Sequence, residues 1–342
     1  MESYLGESAL FLGNGIHRTE KNNGISWGDL LKKISWSYGI DTDLDNDLKP
    51  FPLAFEEMLY AKLGRNDIDS KLRNLKHNIS EILLDNASKL IDNEVHKGFM
   101  QCGIKEIITT NYDYNLESSV ILDFSKTKNS YSISNKESKH SLYRGYLIND
   151  VKVRHIHGEL RHNRNIIAPS SRNYSEQSIM IGFEHYSEYF AKIQSAIQGE
   201  SGKQKEAEKK SVLARIRDNE TGKVWTDMFF THKLIFAGFT LDFSENHLWW
   251  LLFKREELKR KNKYNIEINN EIVFCIPKSI SALINYNINN EIEFNQIYKL
   301  KVSVDKNKGI SDILKSLNIR IDEIYCSNYK DFYLKVIERY KV

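Results

Sequence analysis

Four short stretches of the chain follow the same plan: an apolar run ends abruptly in polar residues or glycine. They read LFLGNGIHR at 10–18, ITTNYDYNLE at 108–117, VRHIHGEL at 153–160 and LIFAGFTLDFSENHLWW at 234–250. Polar groups delivered to strand ends suit the mouth of an open α/β sheet, where ligands of such folds bind. In the first stretch, Gly13 and Gly15 flank Asn14 and permit a tight turn and a close approach to a diphosphate, and amides exposed after a strand bind anions. The same GxG also reads as a plain turn. Position 18 is Arg18 rather than a third glycine, and no acidic residue stands about 20 residues on within a compact βαβ unit. An ordinary hydride-transferring dinucleotide domain is therefore disfavoured.

In the second stretch Thr110 and Asn111 are expected at the carboxyl end of a strand, with Asp113 near the start of the next helix. Asn111 offers a donor and an acceptor without charge, which suits positioning a water or a ribose hydroxyl. Asp113 reads as a helix cap or a ligand contact, and both residues are also compatible with turn chemistry alone. In the third, His155 and His157 share a strand face if the strand continues, and Gly158 ends it. The pair is open to three readings: metal ligands, a hydrogen-bonded structural histidine, or a proton acceptor near neutral pH. The fourth breaks at Gly238 and offers Thr240 and Asp242, with Ser244 expected to cap a helix carrying Leu248, Trp249 and Leu252. Its tryptophans read as core or subunit contact rather than a stacking platform.

The elements that must position these groups are five buried strands at 9–12, 104–108, 151–156, 234–237 and 272–276, separated by helical patterns. Trp27, Leu30, Leu31, Ile34 and Tyr38 share one helical face behind a Ser26 cap with Asp29 at the capping-box position. Phe55, Met58, Leu59 and Leu63 do the same before Gly64, a helix stop. Alternating strands and helices predict an α/β fold, a Rossmann-like parallel sheet flanked by helices, in one domain over 1–342. A helical insertion is expected at about 40–100 and an exposed charged loop at about 199–211. The segment at 289–342 is expected to hold a strand and a helix whose Phe332, Val336 and Tyr340 complete the core or form an interface.

A formal charge of +3 gives no overall drive toward nucleic acid or an anionic membrane. Hydrophobic residues make up 41% and charged ones 28%, ordinary for a globular protein. Cys102, Cys275 and Cys326 are far apart and form no CxxC pair, which fits a reducing compartment and excludes a zinc ribbon. With no leader pattern and no apolar run near the ~20 residues that span a bilayer, a cytoplasmic protein is expected.

Taken together, GNGI at 13–16, TTNYD at 109–113, HIHG at 155–158 and GFTLD at 238–242 resemble, in order and approximate spacing, the motifs of the sirtuin family. The likeness covers about residues 8–280 and is nearest to the bacterial sirtuin-like branch used in antiphage defence, which FEEML at 55–59 and SWGDLL at 26–31 also resemble. It implies NAD+ as substrate, bound by Gly13, Asn14, Gly15, Thr110, Asp113, Gly238 and Thr240, with Asn111 and His157 as the catalytic pair. The chain departs from the family in lacking the paired CxxC and in placing His17 where a serine is usual. Both departures argue against deacylation and are compatible with hydrolysis of NAD+ to nicotinamide and ADP-ribose, without a metal. The resemblance further implies abortive infection through NAD+ depletion, a homo-oligomer, and a HerA-like ATPase or phage-derived activator as partner. The rival readings are a metal-dependent phosphoesterase or nuclease using His155, His157 and Asp113, and a non-catalytic NAD+ or ADP-ribose sensor.

Overall fold

The computed structural model describes residues 7–17, 24–39, 49–62, 68–87, 94–120, 141–159, 179–200, 209–279 and 307–342. Seven strands, β1 (Ser8–Leu12), β2 (Glu106–Thr109), β3 (Tyr146–Ile148), β4 (Val151–His155), β5 (Lys233–Ala237), β6 (Ile272–Ser279) and β7 (Arg320–Cys326), form one sheet. Their order is β3-β4-β2-β1-β5-β6-β7. Every neighbouring pair is parallel except β3 with β4. The architecture is the expected α/β sheet flanked by helices, consistent with a Rossmann-like fold.

Side chains alternate across the strands and fill two separate cores. Ala9, Phe11, Ile108, Leu234, Phe236, Ile272 and Phe274 pack on one face with Tyr189, Ile193, Leu248 and Leu252. Leu10, Leu12, Ile107, Val153, Ile235, Ala237, Val273 and Cys275 pack on the other with Val95, Phe99, Phe332 and Val336. With both faces covered, β1, β5 and the first half of β6 have no polar side to show, which is why they read as apolar runs, whereas β7 alternates exposed and buried residues. The C-terminal helix (Tyr329–Tyr340) thus completes the core through Phe332, Tyr333 and Val336.

After α1 (Trp27–Ser37), the insertion is helical where it is described: α2 (Phe51–Lys62), α3 (Ile68–Ala87) and α4 (Glu94–Gln101). Ser26 caps α1 as expected, its Oγ accepting from the Asp29 amide at 3.1 Å. Leu30, Leu31, Ile34, Phe55, Met58, Leu59, Leu75 and Ile79 form a third core, into which Tyr112 reaches from the end of β2. The site loop is therefore bolted to the helical layer. The stop expected at Gly64, most of the charged loop (201–208) and the stretch at 289–306 lie outside the described residues. Among the described residues no helix is long and apolar enough to cross a membrane.

Two details differ from expectation. The second strand begins at Glu106 rather than at 104 and runs to Thr109, because its span is set by the pairing of Glu106 with Ala9 and Thr109 with Leu12. The antiparallel β3 was not anticipated. It joins β4 through Asn149 and Asp150, both at positive φ (47° and 67°), the backbone of a two-residue hairpin turn.

Candidate active site

The chain runs from β1 through β2 to β4 on one side of the sheet, then places β5 on the opposite side of β1. That reversal is the topological switch point, where open α/β sheets bind ligands beyond the carboxyl ends of their strands. The four polar strand ends flank it. At its centre the Gly13 amide donates to the Ala237 carbonyl at 3.0 Å and the Gly15 amide to the Gly238 carbonyl at 2.8 Å. A Cβ at residue 13 would stand 2.3 Å from the Gly238 oxygen, and one at residue 15 would stand 2.7 Å from it. Gly238 itself sits at φ +65°.

The glycines therefore let two loops interlock backbone to backbone, and the amides of Gly13 and Gly15 serve that contact. This corrects the expectation that those amides stand open to a diphosphate. Because the obstacle is backbone, Gly13→Ala should destabilise the protein by about 1–3 kcal/mol. A chemical denaturation midpoint equal to that of the parent protein would refute this.

Asn14 turns inward, its Nδ2 donating to the Ile25 carbonyl at 3.0 Å and its Oδ1 accepting from His17 Nδ1 at 2.8 Å. His17 Nε2 in turn lies 3.3 Å from Asp113 Oδ2. Burial opposes charge on Asp113, but His17 and the Asn115 amide, which donates to its Oδ1 at 3.1 Å, hold the carboxyl well below the usual range. Asp113 thus cooperates with residue 17 and also accepts from the first amide of the short helix α5 (Asn115–Ser118), whose N-cap, Tyr114, makes no side-chain cap. His96 stacks on His17 with ring centres 5.3 Å apart, and burial pushes it down to about 3, so it is neutral.

Asn111 is held from several directions. Its amide donates to Thr109 Oγ1 at 3.1 Å, its Nδ2 donates to the Gly13 carbonyl at 3.4 Å, and its carbonyl accepts from His155 Nδ1 at 2.7 Å. The remaining atom, Oδ1, is buried without a partner. Thr110 beside it is buried, its amide donating to the Leu12 carbonyl at 3.3 Å.

The two histidines of HIHG have different duties. His155 is the structural one: Nδ1 clamps Asn111, and Nε2 lies 2.7 Å from Glu117 Oε1 on α5, with both side chains fully buried. Burial opposes a charge on this ring, but the Glu117 carboxylate wins and pushes it up to about 9. With both ring nitrogens engaged, His155 offers no lone pair, so it does not pair with His157 as a metal ligand.

His157 faces elsewhere. Its Nε2 stands 3.1 Å from His247 Nε2 and 3.7 Å from Glu245 Oε2, which is 3.8 Å from His247 Nε2, while its Nδ1 lies 3.4 Å from the Tyr186 hydroxyl. Burial and the neighbouring His247 keep His157 well below the ordinary imidazole range. Burial drives His247 down to about 3, and burial with Asp242 raises Glu245 to about 8. Glu245, His247 and Glu117 were not singled out from the sequence, although all three lie within the quoted stretches; only the fold shows which way they turn.

The expected Ser244 cap is corrected. The helix spanning Asn246–Lys261 starts at Glu245 without a side-chain cap, and Asp242 makes the turn instead, its Oδ1 accepting from the Ser244 amide at 2.9 Å. Trp249 is core, its Nε1 donating to the Asp242 carbonyl at 3.1 Å. Thr240 is exposed, and among the described residues no hydrogen bond ties it to the others.

No protein-family model and no curated protein matches the chain. What the site can do follows from its protonation states. Close to the strand ends it holds a neutral carboxamide with a spare acceptor, a neutral buried imidazole and an ionised carboxylate, a set fit for positioning hydroxyls, accepting a proton and stabilising positive charge.

Proposed function

We propose that the chain is an NAD+ glycohydrolase that splits NAD+ into nicotinamide and ADP-ribose, working in the cytoplasm. The observation that supports this best is the Asn111 side chain, fixed at the switch point with a buried, unpartnered Oδ1. Leaving such an acceptor unpaired costs about 1–3 kcal/mol, so the atom suits a ligand hydroxyl or water that satisfies it. In this reading Gly13, Asn14, Gly15, Thr110, Gly238 and Thr240 shape the dinucleotide's seat.

In the reaction the bond from ribose C1′ to the nicotinamide nitrogen breaks, and its electron pair neutralises the pyridinium charge. The ribose gains oxocarbenium character, and Asn111 holds the ribose hydroxyls or the attacking water in place. The water oxygen bonds to C1′, and its proton passes to His157 and then to solvent. Asp113, kept ionised beside His17, helps to fix the nicotinamide side. The resemblance to defence sirtuins carries the substrate's identity; the site's neutral base and spare acceptor are what the chemistry needs.

His157 should stay unprotonated across the neutral range, since its pKa is depressed. Nicotinamide release should therefore hold its rate between about pH 8 and pH 6, where a base with an ordinary imidazole pKa would lose much of its activity. A decline with a midpoint near 6.5 would count against His157 as the base.

The deciding assay follows nicotinamide and ADP-ribose by chromatography after incubation with NAD+, with and without chelator, beside Asn111→Ala. Chelator-resistant release that vanishes in the variant supports the hydrolase. Binding of NAD+ without release means either an enzyme that waits for its activator or a sensor, and neither binding nor release removes both. The phosphoesterase reading is not favoured, because His155 has no free nitrogen.

An unrestrained NADase would poison its host, so we extend the proposal to control by assembly in a homo-oligomer, with a HerA-like ATPase or phage-derived activator as partner. Trp36, Leu53 and Tyr60 stand exposed on α1 and α2 and offer apolar surface for it. A monomeric mass by light scattering at micromolar concentration would count against this.

A further inference from the structure

We infer that His157, Glu245 and His247 form a binding site for one divalent ion of the zinc class. Two separate elements bring the donors together, the turn after β4 with His157 and the start of the Asn246–Lys261 helix with Glu245 and His247, and α6 (Phe183–Gln198) places Tyr186 behind His157. The three ligand atoms all lie within 4.8 Å of one another, at 3.1, 3.7 and 3.8 Å. A tetrahedral ion about 2.0–2.1 Å from each donor holds its ligands about 3.3 Å apart, so small shifts bring all three onto one centre.

The polar accounting argues the same way. Two neutral imidazoles whose Nε2 atoms face each other satisfy one another only if a single proton lies between them, and Glu245 Oε2 beside them is buried with no hydrogen-bond partner. One cation satisfies all three atoms at once. The Tyr186 hydroxyl can accept from His157 Nδ1–H, which leaves the Nε2 lone pair for an ion and fixes the ring as an outer-shell partner does. Two imidazoles and one carboxylate suit zinc and its neighbours rather than calcium or magnesium, which favour all-oxygen shells. The Glu245 side chain is 19% exposed, although its Oε2 and both imidazoles are buried.

The site stands on its own geometry; its consequence rests on the hydrolase proposed above. An ion on His157 Nε2 occupies the lone pair that would take the water's proton, so binding should silence nicotinamide release reversibly.

The test uses the full chain, stripped with chelator and titrated with Zn2+ against a chromophoric competitor. One equivalent should bind, and His247→Ala and Glu245→Gln should each weaken it by at least about tenfold, the loss that even an outer-shell partner can cause. His247→Cys should retain the ion and, loaded with Co2+, show a sulfur-to-cobalt charge-transfer band absent from the parent protein, a gain that misfolding cannot mimic. No saturable equivalent, or equal affinity in all variants with no new band, would overturn the site. Release assayed in parallel separates the two ideas. Inhibition that chelator reverses supports both, whereas saturation with undiminished release keeps the site and removes His157 as the base. If no preparation releases nicotinamide, the titration still decides the site.

Discussion

Asn111→Ala should lower nicotinamide release by about 100- to 1000-fold, the usual loss when one preorganised polar group is taken from a reacting centre. The effect should fall on kcat more than on KM, because the carboxamide is asked to hold a hydroxyl or water in reacting geometry rather than to anchor the dinucleotide. Three polar contacts fix the residue's position, and two of them are made by its backbone, so they survive truncation to alanine. Only the 3.4 Å contact from Nδ2 to the Gly13 carbonyl is lost. The fold should therefore stand, and circular dichroism and the denaturation midpoint should show it. Activity in Asn111→Ala close to that of the parent protein would remove the residue from the reaction.

The second large effect is on stability. Glu117→Gln should cost about 3–5 kcal/mol at pH 7, because it takes the negative partner from a fully buried ion pair. Its pH dependence is diagnostic. His155 is raised to about 9 from an ordinary 6.5, so the folded state holds its proton more tightly than the unfolded chain. The stabilisation this gives is complete below about pH 6.5 and is lost as pH rises through about 9. Denaturation midpoints of the parent protein should fall over that window, and in Glu117→Gln the fall should be much smaller. The same variant loosens the imidazole that grips the Asn111 carbonyl at 2.7 Å, so residual release per folded molecule should fall as well. A Glu117→Gln protein as stable as the parent, with the same pH profile, would show that the pair stays uncharged.

These two predictions mark how much of the site was legible. Asn111 was found because a strand's end is visible in sequence: Ile107 and Ile108 are apolar, and the polar run begins at once. The placement of Thr110 and Asp113 follows from the same break, and that of Gly238 from the like break at the end of β5. Glu117 was overlooked, although it ends the quoted stretch, because a glutamate in a helix looks solvated until a partner 38 residues away is known to face it. Glu245 and His247 are hidden for the same reason: His247 meets His157 across 90 residues of sequence, and Glu245 joins them there. The roles of His155 and His157 could not be divided by spacing, since alternation says which residues share a face but not what waits opposite each.

By itself, the sequence determined the sheet's buried strands, the helices between them and the strand ends at which polar groups gather, because these depend on hydrophobic periodicity and on local backbone preference, both of which act over a few residues. Tertiary structure alone decided that Gly13 and Gly15 serve an interlock with Gly238, that His155 is charged and structural, and that His157 stands among Glu245, His247 and Tyr186. Those outcomes depend on burial and on charges brought together from distant parts of the chain, where removing water multiplies the strength of each contact.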